Sequence, residues 1–430
     1  MNTPKDACPP SALPHGLKPM SGRRFHESHR TATPLELLYD LTLVVAFGVA
    51  GGQAAHLMVE GHIIAALIGF AFSMFAVCWC WIGYSWFASG YDTDDWGVRL
   101  LTLLQMLGVM VMAAGMPRLF HGLPEGHLDN GVLVAGYVLM RVSLIAFWLR
   151  AARDDGEKRT LALRMAALLL IAQAGWVAMA VAPLPLAGVV VSYFALFLLE
   201  TVGTWWVAHR YGPTRWNAHH MAERFGLLAI ITFGEGIIGT MAAIQAVAAE
   251  QGWTLDVGMI GIAGLTLTVG MWWVYFVVPN AQLLECRPRK LLGWSYGHMV
   301  LFAAIAGTGA GLHVAAYLVE GKSRLGLLGT VLAIAAPVTV YLLSVYALFV
   351  YLAPGKHALH AGLLSGSLIV TAIAVVMAAM GASLNACLLI LMLAPWVTVL
   401  GYEWRGHRDI DARVAEAMAE AAATPDSRMP

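Results

Sequence analysis

The chain has 430 residues, 59% of them hydrophobic and only 12% charged, and its mean hydropathy is +0.70, whereas soluble domains carry about 25% charged residues. Those proportions exclude an ordinary water-soluble enzyme. Lys plus Arg and Asp plus Glu number 26 each, so there is no basic field to hold nucleic acid and no acidic excess to keep the chain unfolded.

In chain order, the segment from Met1 to Arg30 carries prolines and basic residues but no continuous apolar stretch with a small-residue cleavage site. It is not a signal peptide by that pattern, and residues 1–32 are expected to form a retained tail. A helix crosses a hydrocarbon core about 30 Å thick with about 20 mostly apolar residues, because lipid satisfies no backbone polar group. Twelve segments meet that length, at 35–58, 63–88, 96–116, 130–151, 162–182, 186–208, 224–248, 257–279, 294–317, 326–351, 359–381 and 383–403. The expected fold is all-α, a polytopic transmembrane bundle. Turn residues punctuate it, as in the run from Tyr91 to Asp95, the charged run from Arg153 to Arg159, Pro183-Leu184-Pro185 and the run from Cys286 to Lys290. Beyond the last span, residues 410–423 place Ile410, Val414, Ala417, Met418 and Ala421 on one side of a short surface helix.

Basic residues test this count independently, since they accumulate on the cytoplasmic side. With the N-terminus inside, inner segments hold 22 of the 26 Lys and Arg residues, outer segments hold three, and Arg141 falls within a span. Dropping one span would invert every later connection, so the imbalance supports twelve, with both termini cytoplasmic in an inner (cell) membrane.

The two halves, residues 33–208 and 209–404, share weak features that suggest a parallel six-plus-six repeat, with a tail at residues 405–430. Phe47-Gly48 in the first span has a counterpart in Phe233-Gly234 of the seventh, and Trp79 and Trp272 are each followed by a polar residue 26 positions later, Gln105 and His298. Duplicated halves of this kind are a transporter plan, with the substrate path between them.

Ionisable residues within spans cost free energy unless paired or hydrated, so they carry the information. Thr33-Pro34-Leu35-Glu36 reads as a capping box with proline at the first helical position, which gives Glu36 a structural role. Asp40 lies one turn deeper and no cap requires it. In the run from His219 to Gly226, His219 with Glu223 and His220 with Arg224 are spaced to pair along a helix entering from the cytoplasm. Glu235 follows Glu223 by twelve residues, about 18 Å, which brings it near the bilayer centre. Gly234 and Gly236 beside it would admit a neighbouring helix, water or a ligand. Arg141 and Glu200 must face the protein interior or water, and Glu235, Asp40 and Glu200 are the acids open to Arg141. His298 reads more readily as a satisfied interior histidine than as a ligand.

Gly48/Gly52, Gly307/Gly311 and Gly362/Gly366 are spaced for close helix contacts, and Trp205-Trp206 and Trp272-Trp273 for the membrane interface. The five cysteines, Cys8, Cys78, Cys80, Cys286 and Cys387, are scattered and suggest packing rather than a metal site or disulfide framework. No phosphate-cradling loop, nucleophile elbow or dinucleotide fingerprint occurs, so no cofactor, ATP drive or redox chemistry is indicated.

Three runs together resemble the bacterial low temperature requirement A (LtrA) family. Thr33-Pro34-Leu35-Glu36-Leu37-Leu38-Tyr39-Asp40-Leu41 is similar to its P-L-E-L-F-F-D-L pattern. The run from His220 to Gly226 with Gly234-Glu235 resembles its H-x-x-E-R-F-G and G-E, and Trp272-Trp273-Val274-Tyr275-Phe276 its W-W-x-Y-F. Leu38-Tyr39 and Gly236 depart from the pattern where Phe-Phe and Ser are common. The resemblance covers roughly residues 30–405 and implies a multispanning protein without naming an activity.

The expectation is a non-enzymatic membrane protein that moves an ion or small solute along a polar path lined by Asp40, Arg141, Glu223 and Glu235. The alternatives are a lipid-handling enzyme built on His219, His220 and Glu223, and a sensor or scaffold whose acids only pair internally. Expected partners are the lipid bilayer and an unidentified ion or solute, with homo-oligomer formation left open.

Overall fold

A computed structural model describes residues 16–22, 31–91, 93–182, 184, 186–355 and 358–423. Cys8, Lys5, Arg23, Arg24, Arg30, Lys356 and Arg428, which entered the cysteine and charge readings, lie outside them. Among the described residues there is no strand, and twelve helical segments are long and apolar enough to span a membrane. They are α1 (Pro34–Val59), α2 (Ile63–Gly90), α3 (Trp96–Gly122), α4 (Gly131–Asp154), α5 (Arg159–Val181), α6 (Leu186–Tyr211) and α7 (Ala218–Gln251), then α8 (Leu255–Phe276) with α9 (Asn280–Cys286). They continue with α10 (Leu291–Val319), α11 (Gly326–Leu352), α12 (Ala358–Ala379), and a last segment made of α13 (Leu384–Leu391), α14 (Leu393–Gly401), a π turn and α15 (His407–Ala423).

The start of α1 is built by the expected cap. The Glu36 N–H donates to Thr33 Oγ1 at 3.2 Å and the Thr33 N–H donates back to Glu36 Oε2 at 2.8 Å, so two otherwise orphaned donors are satisfied. Most span ends shift by one to three residues from their sequence bounds, and three spans differ more. The third runs on through Pro117 to Gly122, because Leu119 and Phe120 beyond the proline are fully buried and hold the extra turn. The seventh begins at Ala218, six residues before the expected start, because the Asn217 side chain accepts from the His220 N–H at 3.0 Å and caps it. At 34 residues α7 is about 51 Å long, well beyond the hydrocarbon thickness. The twelfth is not one smooth helix, and on α15 Met418 is exposed while Ile410, Ala417 and Ala421 are buried.

The most enclosed span is α10, which packs against α7, α11, α1 and α2, whereas α6 and α12 are peripheral. In each half the first span packs on the third, α1 on α3 and α7 on α10. The α7–α10 crossing is set by missing side chains. A Cβ on Gly309 would lie 2.6 Å from the Glu235 carbonyl oxygen, and one on Gly239 would lie 2.5 Å from that of Gly309, so the two backbones touch. Of the spaced glycine pairs, Gly307, Gly311, Gly48 and Gly366 lie against neighbours, but Gly52 and Gly362 face open space.

Alternate connections gather on one face. Backbone N–H groups of Lys18, Met20 and Gly22 donate to Asp95, Asp154 and Asp155. Arg215 pairs with Glu157, Arg287 with Glu420 and His360 with Asp409. The N-terminal segment, the even-numbered connections and α15 are thereby fastened together. On the opposite face the Arg324 N–H donates to the Val59 carbonyl at 2.8 Å, tying the α10–α11 connection to the end of α1. Trp205, Trp206 and Trp272 are exposed on the bundle surface.

Candidate functional site

The spans bury two arginines, each with its own carboxylate partners. In the first two turns of α1 and α7, Arg224 Nη2 donates to Asp40 Oδ1 at 2.7 Å and its Nη1 lies 3.0 Å from Glu36 Oε1. His220 Nε2 is 3.2 Å from the same Glu36 oxygen, and Trp81 Nε1 donates to Asp40 Oδ1 at 2.7 Å. All four ionisable side chains are at most 3% exposed. The helical repeat explains the geometry: Glu36 and Asp40 are one turn apart on α1, His220 and Arg224 one turn apart on α7, and the two stripes face each other. The pairs expected within α7 are therefore replaced by pairs between helices. His220 and Arg224 turn to α1, while His219 lies 3.5 Å from Glu285 of α9. Glu223 is half-buried. Arg224, counted above among the basic residues of an inner loop, belongs to the interior.

The second arginine settles its partner. Arg141 Nη2 donates to Glu200 Oε2 at 2.8 Å and to Tyr137 Oη at 2.9 Å. Glu200 also accepts from Trp79 Nε1 at 2.6 Å, Trp176 Nε1 at 2.7 Å, Tyr137 Oη at 2.7 Å and Gln173 Nε2 at 3.4 Å. Neutral donors therefore solvate the carboxylate on every side, and Arg141 is not its sole support. The guanidinium uses only Nη2: its Nε and Nη1 hydrogens meet no acceptor among the described residues. Nη1 faces Gly83 of α2, where a Cβ would lie 3.0 Å away.

A cavity of about 710 Å³ opens beside this group. It begins among Gly212 to Thr214, Trp216 and Pro288 to Arg289, in connections on the face that carries the N-terminal segment, and runs between α2, α4, α5 and α6 to Trp79 and Arg141. Arg141 is the eleventh residue of the 24 in α4, so the cavity reaches mid-span. Its walls are mostly apolar and rich in indole rings, with His209 and Arg289 toward the mouth. That is the composition of a small-molecule site, an apolar enclosure with few placed polar groups.

Glu235 stands apart. It is 7% exposed, and its Oε1 lies 2.8 Å from the position a Cβ on Gly48 would take. No described side chain or backbone group forms a hydrogen bond or ion pair with it. Gly236 beside it is filled by Thr268 of α8, and Gly234 is open. His298 is the satisfied interior histidine expected: its Nδ1 donates to the Trp294 carbonyl at 2.8 Å and its Nε2 accepts from Tyr275 Oη at 3.1 Å.

Asp40, Arg141, Glu223 and Glu235 thus do not form one continuous line. They divide into a paired cluster at the start of α1 and α7, an arginine at a cavity end, and a lone acid. Sequence reasoning missed the donors Trp79, Trp81, Trp176, Tyr137 and Gln173. An indole N–H in a span satisfies a buried carboxylate as readily as it anchors a lipid interface, and one sequence does not separate the two.

The profile of the bacterial low temperature requirement A protein (LtrA) matches residues 31–395. A relative described as an uncharacterized protein of Rhizobium meliloti (strain 1021) is 28% identical over 293 residues, covering 64% of this chain and 67% of the relative. No solved structure matches the chain. The profile runs from the cap of α1 into α14 and takes in both buried arginine clusters, the cavity walls and Glu235, and the chain belongs to the bacterial LtrA family of membrane proteins.

Proposed function

We propose that this LtrA protein is a passive or ion-coupled transporter or channel for a small solute, without enzymatic turnover, in the cell inner membrane. One observation carries the reading: a cavity of about 710 Å³ leads from the face holding the N-terminal segment to an arginine in the middle of a span. A protein that only needed a packed bundle would gain by closing that volume, since interiors otherwise pack to crystal-like density. The excess of Lys and Arg in the connections of that face supports a cytoplasmic position for it. Glu235 is the acid left over for coupling to an ion, because Asp40, Glu36 and Glu200 are each engaged. The histidines on which a lipid-handling enzyme would depend are dispersed, His219 to Glu285 and His220 to Glu36.

Reconstitution into liposomes under imposed proton, sodium and solute gradients tests this. Flux is expected in wild type and is expected to fall at least tenfold in Gly83→Leu, which fills the approach to Arg141. Well-folded protein that moves none of a panel of ions, organic acids, amines and neutral solutes would overturn the reading.

A further inference from the structure

We propose that the cavity binds an amphipathic organic anion, a carboxylate on an apolar or aromatic body, with the carboxylate on Arg141 and the body between the indole walls. The inference rests on the cavity being the solute site proposed above and goes further by naming the solute's chemistry.

Three observations carry it. First, Arg141 is 2% exposed, yet its Nη1 hydrogens meet no acceptor among the described residues. A buried guanidinium with an unused donor is costly, and because Nη2 is already spent on Glu200 and Tyr137, a bound oxyanion supplies what is missing through a charge-assisted contact at Nη1. Second, the network around Glu200 leaves that edge free. Because Trp79, Trp176, Tyr137 and Gln173 all donate to Glu200, its charge is held without the whole of Arg141, and Gly83 leaves the Nη1 side of the guanidinium uncovered. Third, the remaining wall offers Trp86, Trp148, Leu161, Met165 and Trp216. These surfaces reward apolar area and provide little for a sugar, an amino acid ammonium or a bare inorganic ion. His209 and Arg289 toward the mouth add positive or polar character along the approach and none of the negative charge that would favour a cation.

A carboxylate of this kind has two sources, a soluble aromatic acid arriving through the mouth or a single-chain fatty acid from the bilayer, and the probes separate them. Isothermal titration calorimetry on the detergent-solubilised full chain would compare 2-naphthoate, decanoate and the uncharged 2-naphthamide. The expected result is saturable binding of at least one carboxylate, at least tenfold weaker binding of the amide, and at least tenfold loss of the carboxylate in Arg141→Gln. Naphthoate binding points to the soluble source, decanoate binding alone to the lipid one. Because Arg141→Gln on its own leaves Glu200 without its cation, the matched Arg141→Gln/Glu200→Gln protein is the second variant, and it too should lose the carboxylate while retaining its thermal midpoint. Trp216→Leu should weaken binding of naphthoate by a factor of about three or more without altering the preference for the charged form.

The proposal is overturned if neither carboxylate binds the folded wild type, if the amide binds as well as the acid, or if the double variant still binds the acid. Binding of the acid without any flux of it in liposomes would instead sink the transport reading and leave this site standing.

Discussion

Asparagine at Asp40 would leave the Arg224 guanidinium buried with Glu36 as its remaining carboxylate and would weaken the contact to Trp81 Nε1. Breaking one side of such a buried pair costs about 3–5 kcal/mol, so Asp40→Asn is expected to lower the unfolding midpoint in detergent sharply. An Asp40→Asn/Arg224→Gln double variant should recover a large part of the loss, since contacting residues are strongly non-additive. Glu235→Gln loses no partner and should shift stability by less than about 1 kcal/mol. Thermal unfolding of the four proteins decides it, and equal destabilisation by Asp40→Asn and Glu235→Gln would show that Glu235 is held as tightly as Asp40. The ionisable residues that carry this argument were legible in the sequence because charge within a span is conspicuous. Their pairing was not, because it depends on which helices become neighbours. The spacing of His220 and Arg224 was legible as one stripe, and the structure turns that stripe toward Glu36 and Asp40 of α1.

Single elements are held in place by a few capping and bridging carboxylates, and Asp95 is the clearest. It caps α3 through the Val98 N–H at 3.0 Å, receives Thr93 Oγ1 at 2.8 Å and the Lys18 N–H at 3.1 Å, and pairs with Arg150 of α4. Burial alone would push its carboxyl up, but the donors, led by Arg150, outweigh that and hold it well below the usual carboxylate range. A group with a depressed folded value adds stability that is complete above the ordinary range near about 4 and is lost as acidification passes through the folded value. Hydrogen exchange of residues 16–22 should therefore stay slow at neutral pH and accelerate below about pH 3, and in Asp95→Asn it should be fast at neutral pH too. Unchanged exchange in that variant would show that the segment is held by Asp154 and Asp155 alone. Helix existence was readable from hydropathy throughout. The ends were less so: the buried turn after Pro117 is decided by partners distant in sequence, whereas the Asn217 cap is local, three residues from the His220 N–H it accepts, and was passed over.

For the whole molecule, the count of twelve spans and the collection of alternate connections on one face follow from the distribution of Lys and Arg, and hydrogen bonds between those connections agree with it. Which side of the bilayer that face occupies is open to direct measurement. In a Cys8→Ser/Cys286→Ser background, a membrane-impermeant thiol reagent should label Glu157→Cys only from the cytoplasmic side and Lys322→Cys only from the other. The reverse pattern would invert the proposed orientation while leaving the fold intact. The size and position of the cavity had no counterpart in the sequence, because a void is a property of how α2, α4, α5 and α6 splay and not of any one of them. The connections on the face opposite the N-terminal segment are short, none exceeding eight residues and two of them only three. Glycines at positive φ, Gly61 and Gly252, make those two tight reversals attainable. Such hairpins hold too little chain to fold over as a cover, so under the proposed transport function admission from that side would fall to tilting and parting of the rods themselves.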